Sequence, residues 1–217
     1  MNVEQARFNM IEQQIRPWDV LDSSILSLLS VVRREDFVPE AHRSLAFMDL
    51  EVPLAGGRAM LAPKLEARLV QDLDLGKRDT VLHIGAGTGY VTALLAHKAQ
   101  RVIGLESDAD LVQAARANLR KASVNNAEIV QADGVEGLAG QAPFNAILLT
   151  GSVASVPQTL LNQLKEGGRL LAIVGEEPIM RARLFTRLAN GQFSSEDLFD
   201  TTAPRLAGFA TPSRFHF

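Results

Sequence analysis

The stretch Val81-Leu82-His83-Ile84-Gly85-Ala86-Gly87-Thr88-Gly89-Tyr90 decides how this chain reads. Val81 to Ile84 has the apolar character of a buried strand, broken only by His83. Glycines at alternate positions follow, and Tyr90 to Ala99 then reads as an apolar helix. A strand that turns through glycines into a helix predicts bare backbone N–H groups set against a ligand. The spacing is G-x-G-x-G, with Tyr90 where a dinucleotide fingerprint would place its third glycine. Such a loop takes a nucleotide, and the residues downstream must say which.

Downstream the same rhythm repeats. Arg101 to Glu106 reads as a second strand, and Asp108 to Ala122 as a helix whose acidic first turn suits its dipole. Ala127 to Gln131 and Phe144 to Thr150 are further strands. Val156 to Leu164 reads as a helix, and Gly167-Gly168 turns into a fifth strand, Arg169 to Val174. Apolar strands alternating with helices predict an α/β fold, a mostly parallel twisted sheet with helices on both faces. At the end, Ala189-Asn190-Gly191 separates Arg183–Leu188 from Gln192–Phe199, a hairpin signal that predicts C-terminal antiparallel strands.

Upstream lies a helical extension. Val3, Ala6, Met10, Ile11 and Ile15 form a stripe over residues 2–15, which Arg16-Pro17 should stop. Asp22 or Ser23 can cap a second helix carrying Ile25, Leu26, Leu28, Leu29 and Val32. Residues 40–63 read as a loop-rich connector, and Pro63 can open a helix with Leu65, Leu69, Val70 and Leu73. The whole chain reads as one domain, 1–217. Residues 1–63 form an extension on the acceptor side, 79–175 a donor-binding core, and 176–217 a hairpin and last strand.

Composition narrows the functions. Of 217 residues, 22 are Lys or Arg and 25 are Asp or Glu, a formal charge of −3 that lacks the basic excess of a nucleic-acid binder. There are 0 cysteines, which removes disulfides, thiolate chemistry and cysteine-held metal. No apolar run approaches the ~20 residues that span a bilayer, and the N-terminus lacks a signal-peptide core. A cytoplasmic protein without metal, membrane or nucleic-acid partner is expected.

Glu106 ends the second strand, where a carboxylate can accept from both ribose hydroxyls of a nucleoside over the glycine turn. Asp133-Gly134 follows the third strand at the same edge and can receive an adenine amino group. Helix caps alone would explain either residue singly, but three strand ends converge on one crevice.

These residues carry a resemblance. Gly85-Ala86-Gly87-Thr88-Gly89-Tyr90, Glu106 and Asp133-Gly134 look like the donor-binding motifs of Rossmann-like S-adenosylmethionine-dependent methyltransferases. More narrowly, the chain resembles the protein-L-isoaspartate O-methyltransferase family. The similarity runs from about Met10 to Arg187 and takes in Met10-Ile11-Glu12-Gln13-Gln14-Ile15-Arg16 and Arg34-Glu35-Asp36-Phe37-Val38-Pro39. It also includes Ala46-Phe47-Met48-Asp49, Pro53-Leu54, Ala142-Pro143-Phe144-Asn145-Ala146-Ile147 and Gln163-Leu164-Lys165-Glu166-Gly167-Gly168-Arg169-Leu170. The resemblance implies methyl transfer from S-adenosylmethionine to the carboxylate of an isoaspartyl residue in a damaged protein or peptide, leaving S-adenosylhomocysteine. It implies donor contacts from His83, Gly85, Ala86, Gly87, Thr88, Glu106, Ser107, Asp133, Gly134 and Thr150. An ionised carboxylate is already a nucleophile, so such an enzyme orients and excludes water rather than supplying a strong base.

Two departures stand out. The family's acceptor loop ends in a Thr-Ile-Ser-Gln-Pro-like segment, and here it reads Ala59-Met60-Leu61-Ala62-Pro63, with both hydroxyls gone. Ala59, Met60 and Leu61 are the acceptor-loop candidates, and no catalytic side chain is assigned. His83 stands where an acid usually precedes the glycine turn; it can contact the donor and titrate near pH 6.5, or be a satisfied buried histidine. Asp49, Arg58 and Thr150 should border the acceptor pocket, Asn145 reads as structural, and His42, His97 and His216 are scattered. Three alternatives stay open: the same fold and donor with a different acceptor, an inactive donor-binding regulatory module, and an NAD-dependent oxidoreductase.

Overall fold

The computed structural model describes residues 2–210. Its centre is a seven-stranded sheet built from β3 (Thr80–Ile84), β4 (Arg101–Glu106), β5 (Ala127–Gln131), β6 (Phe144–Val153), β7 (Leu164–Glu176), β8 (Ile179–Arg187) and β9 (Phe193–Thr201). They lie in the order β5-β4-β3-β6-β7-β8-β9. The first five are parallel to their neighbours, and β8 and β9 are added antiparallel. A separate pair, β1 (Val52–Pro53) and β2 (Ala59–Met60), closes the loop 54–58 as a small hairpin.

Alternation along the central strands splits the core in two. Val81, Val102, Ala146, Leu148 and Leu171 face one side. That side is covered by α1 (Val3–Met10), α2 (Ser23–Val31), α3 (Pro63–Asp72), α4 (Tyr90–Lys98) and α5 (Ala109–Lys121). Leu82, Ile84, Ile103, Leu105, Ile147 and Leu149 face the other, under α6 (Gln158–Leu161), the 132–142 loop and Phe209. Both faces are dry, which is why the central strands read as almost unbroken apolar runs.

The elements differ from expectation at their edges. The N-terminal stripe is helical throughout, but after Met10 it widens into a π turn, Ile11–Ile15, and tightens into a 3-10 turn, Arg16–Trp18. The π turn buries both Ile11 and Ile15, and Pro17 sits at the start of the next turn, where its missing N–H costs nothing. The helix expected over Val156–Leu164 shrinks to Gln158–Leu161, because Pro157 delays its start and Leu164 already pairs with Phe144. The strand expected over Arg169–Val174 therefore begins at Leu164 and passes Gly167-Gly168 as an irregularity between the Phe144 and Ala146 pairings. The C-terminal hairpin turns where Asn190-Gly191 predicts, though its strands are longer than expected.

Candidate functional site

The glycine turn sits at the C-terminal end of β3, the middle of the parallel sheet. Gly85 has φ +86°, and a Cβ there would come within 2.7 Å of Leu206 and 3.3 Å of the Thr150 hydroxyl. Gly89 caps α4 with φ +89°, and a Cβ there would press on Ala115 of α5 at 3.3 Å. One glycine thus serves the cleft and the other the packing of helix on helix.

The glycine and Ala86 N–H groups of this turn are already used. The Gly85 and Ala86 amides both donate to the Leu105 carbonyl at 3.0 Å, and Gly89 donates to Ala86 at 2.8 Å. The Gly87 amide donates to Glu106 Oε2 at 2.9 Å. The turn contributes close backbone approach and a placed carboxylate, not a nest of free donors. That arrangement suits a nucleoside without a phosphate.

Glu106 is nearly buried and organises this half of the cleft. Besides Gly87, the Asp108 amide donates to its Oε1 at 3.0 Å, and Arg58 Nε lies 3.4 Å from the same oxygen. Arg58 also donates to Ser107 Oγ at 2.8 Å and lies 3.5 Å from Asp108. A ligand diol must therefore share the carboxylate with Arg58 or displace it. Asp133, at the end of β5, accepts from Val135 N at 3.1 Å through one oxygen, and Gly134 follows it with φ +82°.

His83 and Thr150 lie beneath the turn. Thr150 Oγ1 donates to the Gly85 carbonyl at 2.7 Å, so it receives the proton of His83 Nε2 across 2.8 Å. The other ring nitrogen, Nδ1, then accepts from Thr92 Oγ1 at 2.8 Å. Both nitrogens are committed, the side chain is buried, and burial pushes its pKa down from 6.5 to about 3. His83 is neutral at physiological pH and carries no titration near 6.5, which corrects that part of the sequence reading.

This has a measurable consequence. The unfolded chain takes up a proton near pH 6.5 that the folded chain refuses until about pH 3. Folding stability should therefore fall as pH drops from 6.5 toward 3, with a slope approaching about 1.4 kcal/mol per pH unit from this group. Urea unfolding between pH 7.5 and 5, in the protein and in His83→Gln, checks this; parallel curves for the two would refute it.

The Ala59–Leu61 loop is held from behind. Arg34 is fully buried and donates to Glu66 Oε2 at 2.9 Å, to the Ala46 carbonyl at 2.7 Å and to the Leu61 carbonyl at 2.8 Å. Glu66 in turn accepts from the Leu61 amide, and burial raises its pKa against the pull of Arg34. Both backbone groups of Leu61 are thus pinned by one ion pair. Met60 and Leu61 are buried, and Ala59 is half-buried beside them.

The cleft is lined by Leu54, Arg58, Ala59 and Leu61, by Gly85, Gly87, Glu106, Ser107, Asp133 and Thr150, and by Pro204 to Ala207. Ala86, Thr88 and His83 line a smaller recess continuous in residues with it. Asp49 is placed elsewhere, in a groove with Trp18 and in an ion pair with Lys64 at 2.7 Å. Asn145 accepts from Thr80 N and from Lys165, tying strand edges together. His42, half-buried in a 3-10 helix, and His97, exposed at the end of α4, do not line the cleft, and His216 lies outside the described residues.

Sequence reading missed the segment 203–209. The Ser152 amide donates to the Pro204 carbonyl at 2.8 Å and the Leu206 amide to Ser152 at 3.0 Å. Arg205 forms a single parallel bridge with Ser152. The segment roofs the cleft beyond β9, and its only sequence signal was the apolar spacing of Ala203, Leu206 and Phe209.

A parallel sheet with this order, a glycine turn after its central strand and carboxylates at the next two strand ends define a Rossmann-like S-adenosylmethionine-dependent methyltransferase. The family model for protein-L-isoaspartate(D-aspartate) O-methyltransferase matches residues 5–202. A protein-L-isoaspartate O-methyltransferase of Rhodopseudomonas palustris is 37% identical over 200 residues, 92% of each chain. One from Methanoculleus marisnigri is 37% identical over 171 residues, 79% of this chain and 78% of its own. A solved structure titled protein-L-isoaspartate O-methyltransferase superposes with a TM-score of 0.80 at 25% identity, covering 93% of this chain and 66% of that one. Another, described as a Plasmodium falciparum protein of this kind in complex with S-adenosyl-L-homocysteine, gives 0.78 at 23% identity and shares the fold, over 95% and 98%. The chain belongs to the protein-L-isoaspartate(D-aspartate) O-methyltransferase family.

Proposed function

We propose that this protein transfers the methyl group of S-adenosylmethionine to the free carboxylate of an isoaspartyl residue in a peptide or protein. The observation that carries this reading is the cleft between Glu106 and the Ala59–Leu61 loop, in a chain whose relatives are named for that reaction. The residues fit the donor. Gly85, with no Cβ, lets the turn sit directly beneath Leu206 at the cleft wall, Glu106 retains acceptor capacity for ribose hydroxyls, and one oxygen of Asp133 is free of Val135. Ser107, Gly87, Ala86, Thr88 and Thr150 border the same space, His83 supports it through Thr150, and Gly134 lies behind Asp133 packed on Ile84. When bound, the donor supplies an electrophilic methyl on a sulfonium.

The chain's own groups bind, orient and exclude water. Leu54, Leu61 and Leu206 make the wall apolar, which favours a reaction in which an anion and a cation cancel. Arg34 and Glu66 hold Leu61 in place, so the wall is rigid where an acceptor must line up with the methyl at roughly 3 Å. No side chain need act as a strong base, since the acceptor arrives ionised.

A second reading, the same transfer to a different acceptor, is favoured by one observation. The loop lacks both hydroxyls, and losing donors to a charged acceptor costs roughly 1.5–3 kcal/mol each. Within the described residues no helix is long and apolar enough to cross a membrane. A cytoplasmic setting suits a chain with 0 cysteines.

Labelled donor with an isoaspartyl peptide and its aspartyl isomer tests the function directly. Methyl incorporation into the isoaspartyl peptide alone is expected. Equal labelling of both, or labelling only of small molecules from a lysate, would favour the second reading.

A further inference from the structure

Glu106 and Asp133, with the glycine turn, place the donor anchors at the ends of β3, β4 and β5, one half of the sheet. An acceptor aligned with the sulfonium must then enter from the other half, over the ends of β6 and β7. Residues 203–205 cover that half, and Leu206 to Gly208 run back toward Gly85 and Asp133. Arg205 bridges Ser152 of β6 and donates through Nη2 to the Gly175 carbonyl at the end of β7, at 2.9 Å. Arg205 lines the cleft, and its Nη1 is buried without a hydrogen-bond partner. Among the described residues no carboxylate forms an ion pair with it, whereas the cleft's other arginine, Arg58, is engaged by Glu106, Ser107 and Asp108. A buried guanidinium nitrogen left open calls for an anion. The acceptor is an anion, and the loop that should receive it offers only Ala59, Met60 and Leu61.

We infer that Arg205 binds the carboxylate of the methyl acceptor, taking the place of the absent loop hydroxyls. The assignment rests on the proposed anionic acceptor. Because the acceptor loses its charge as the methyl arrives, an arginine there holds the bound substrate more strongly than the transition state. Its removal should raise KM without lowering kcat.

The test compares the protein with Arg205→Met and Arg205→Lys. Arg205→Met should raise KM for an isoaspartyl peptide about 10- to 100-fold, leaving kcat within about 3-fold, with Arg205→Lys between. Titration with S-adenosylhomocysteine should give the same affinity for all three, which also reports an intact roof over the cleft. In the presence of that ligand, the isoaspartyl peptide should bind at least about 10-fold tighter than its carboxamide analogue, a preference that Arg205→Met abolishes. A variant that keeps the preference, or one that loses S-adenosylhomocysteine binding instead, overturns the assignment. A protein that binds the peptide by charge yet transfers no methyl leaves Arg205's role standing and removes the functional reading; one that binds neither peptide removes both.

Discussion

Replacing Glu106 with Ala should abolish measurable donor binding, lowering S-adenosylhomocysteine affinity by at least about 100-fold. The carboxylate is expected to receive two ribose hydroxyls, and charge-assisted bonds of this kind contribute roughly 1.5–3 kcal/mol each. The change also leaves the Gly87 and Asp108 amides without their acceptor and frees Arg58, so the turn itself loosens. Glu106→Gln separates the two effects. It keeps the shape, but its amide nitrogen must face one of those N–H groups, so a smaller stability loss should accompany a similar affinity loss. Calorimetric titration together with thermal melts checks both. An alanine variant whose affinity stays within about 3-fold of the parent's would remove Glu106 from the donor site.

Arg34→Met should destabilise the protein by about 3–5 kcal/mol, the range for breaking a buried ion pair from one side. Its guanidinium is wholly buried and satisfies Glu66, the Ala46 carbonyl and the Leu61 carbonyl together. Without it, Glu66 must either protonate or remain a charge in an apolar interior. The double variant Arg34→Met, Glu66→Leu removes the stranded charge and should recover part of the loss. It should not recover acceptor binding, because both backbone groups of Leu61 have lost their anchors. Urea midpoints measure the first effect and KM for the acceptor the second. Equal stability of the single variant and the parent would show that the pair does not hold this loop.

The two effects lie on opposite sides of one cleft and read different links. Glu106 borders the cleft at a strand end, and Arg34 belongs to the packing of the extension against α3. Arg34 ties the extension to the Ala59–Leu61 loop, by a route no local pattern displays.

The sequence alone determined the strand–turn–helix units, the parallel core and the carboxylates at the strand ends. Strands buried on both faces must be apolar, a turn that ligand and Leu206 both approach must be glycine, and a carboxylate at a strand end follows that strand directly. These demands fall on neighbouring residues, so Val81 to Tyr90, Glu106 and Asp133 could be read in order. Tertiary structure alone decided the rest. The glycine amides proved to be spent on Leu105 and Glu106, and His83 proved to be neutral between Thr92 and Thr150. Arg34 reaches Leu61, 27 positions away, and Arg205 reaches Gly175, 30 away. Burial and hydrogen-bond partners at such separations depend on how distant segments dock, and a single sequence carries no pattern for that.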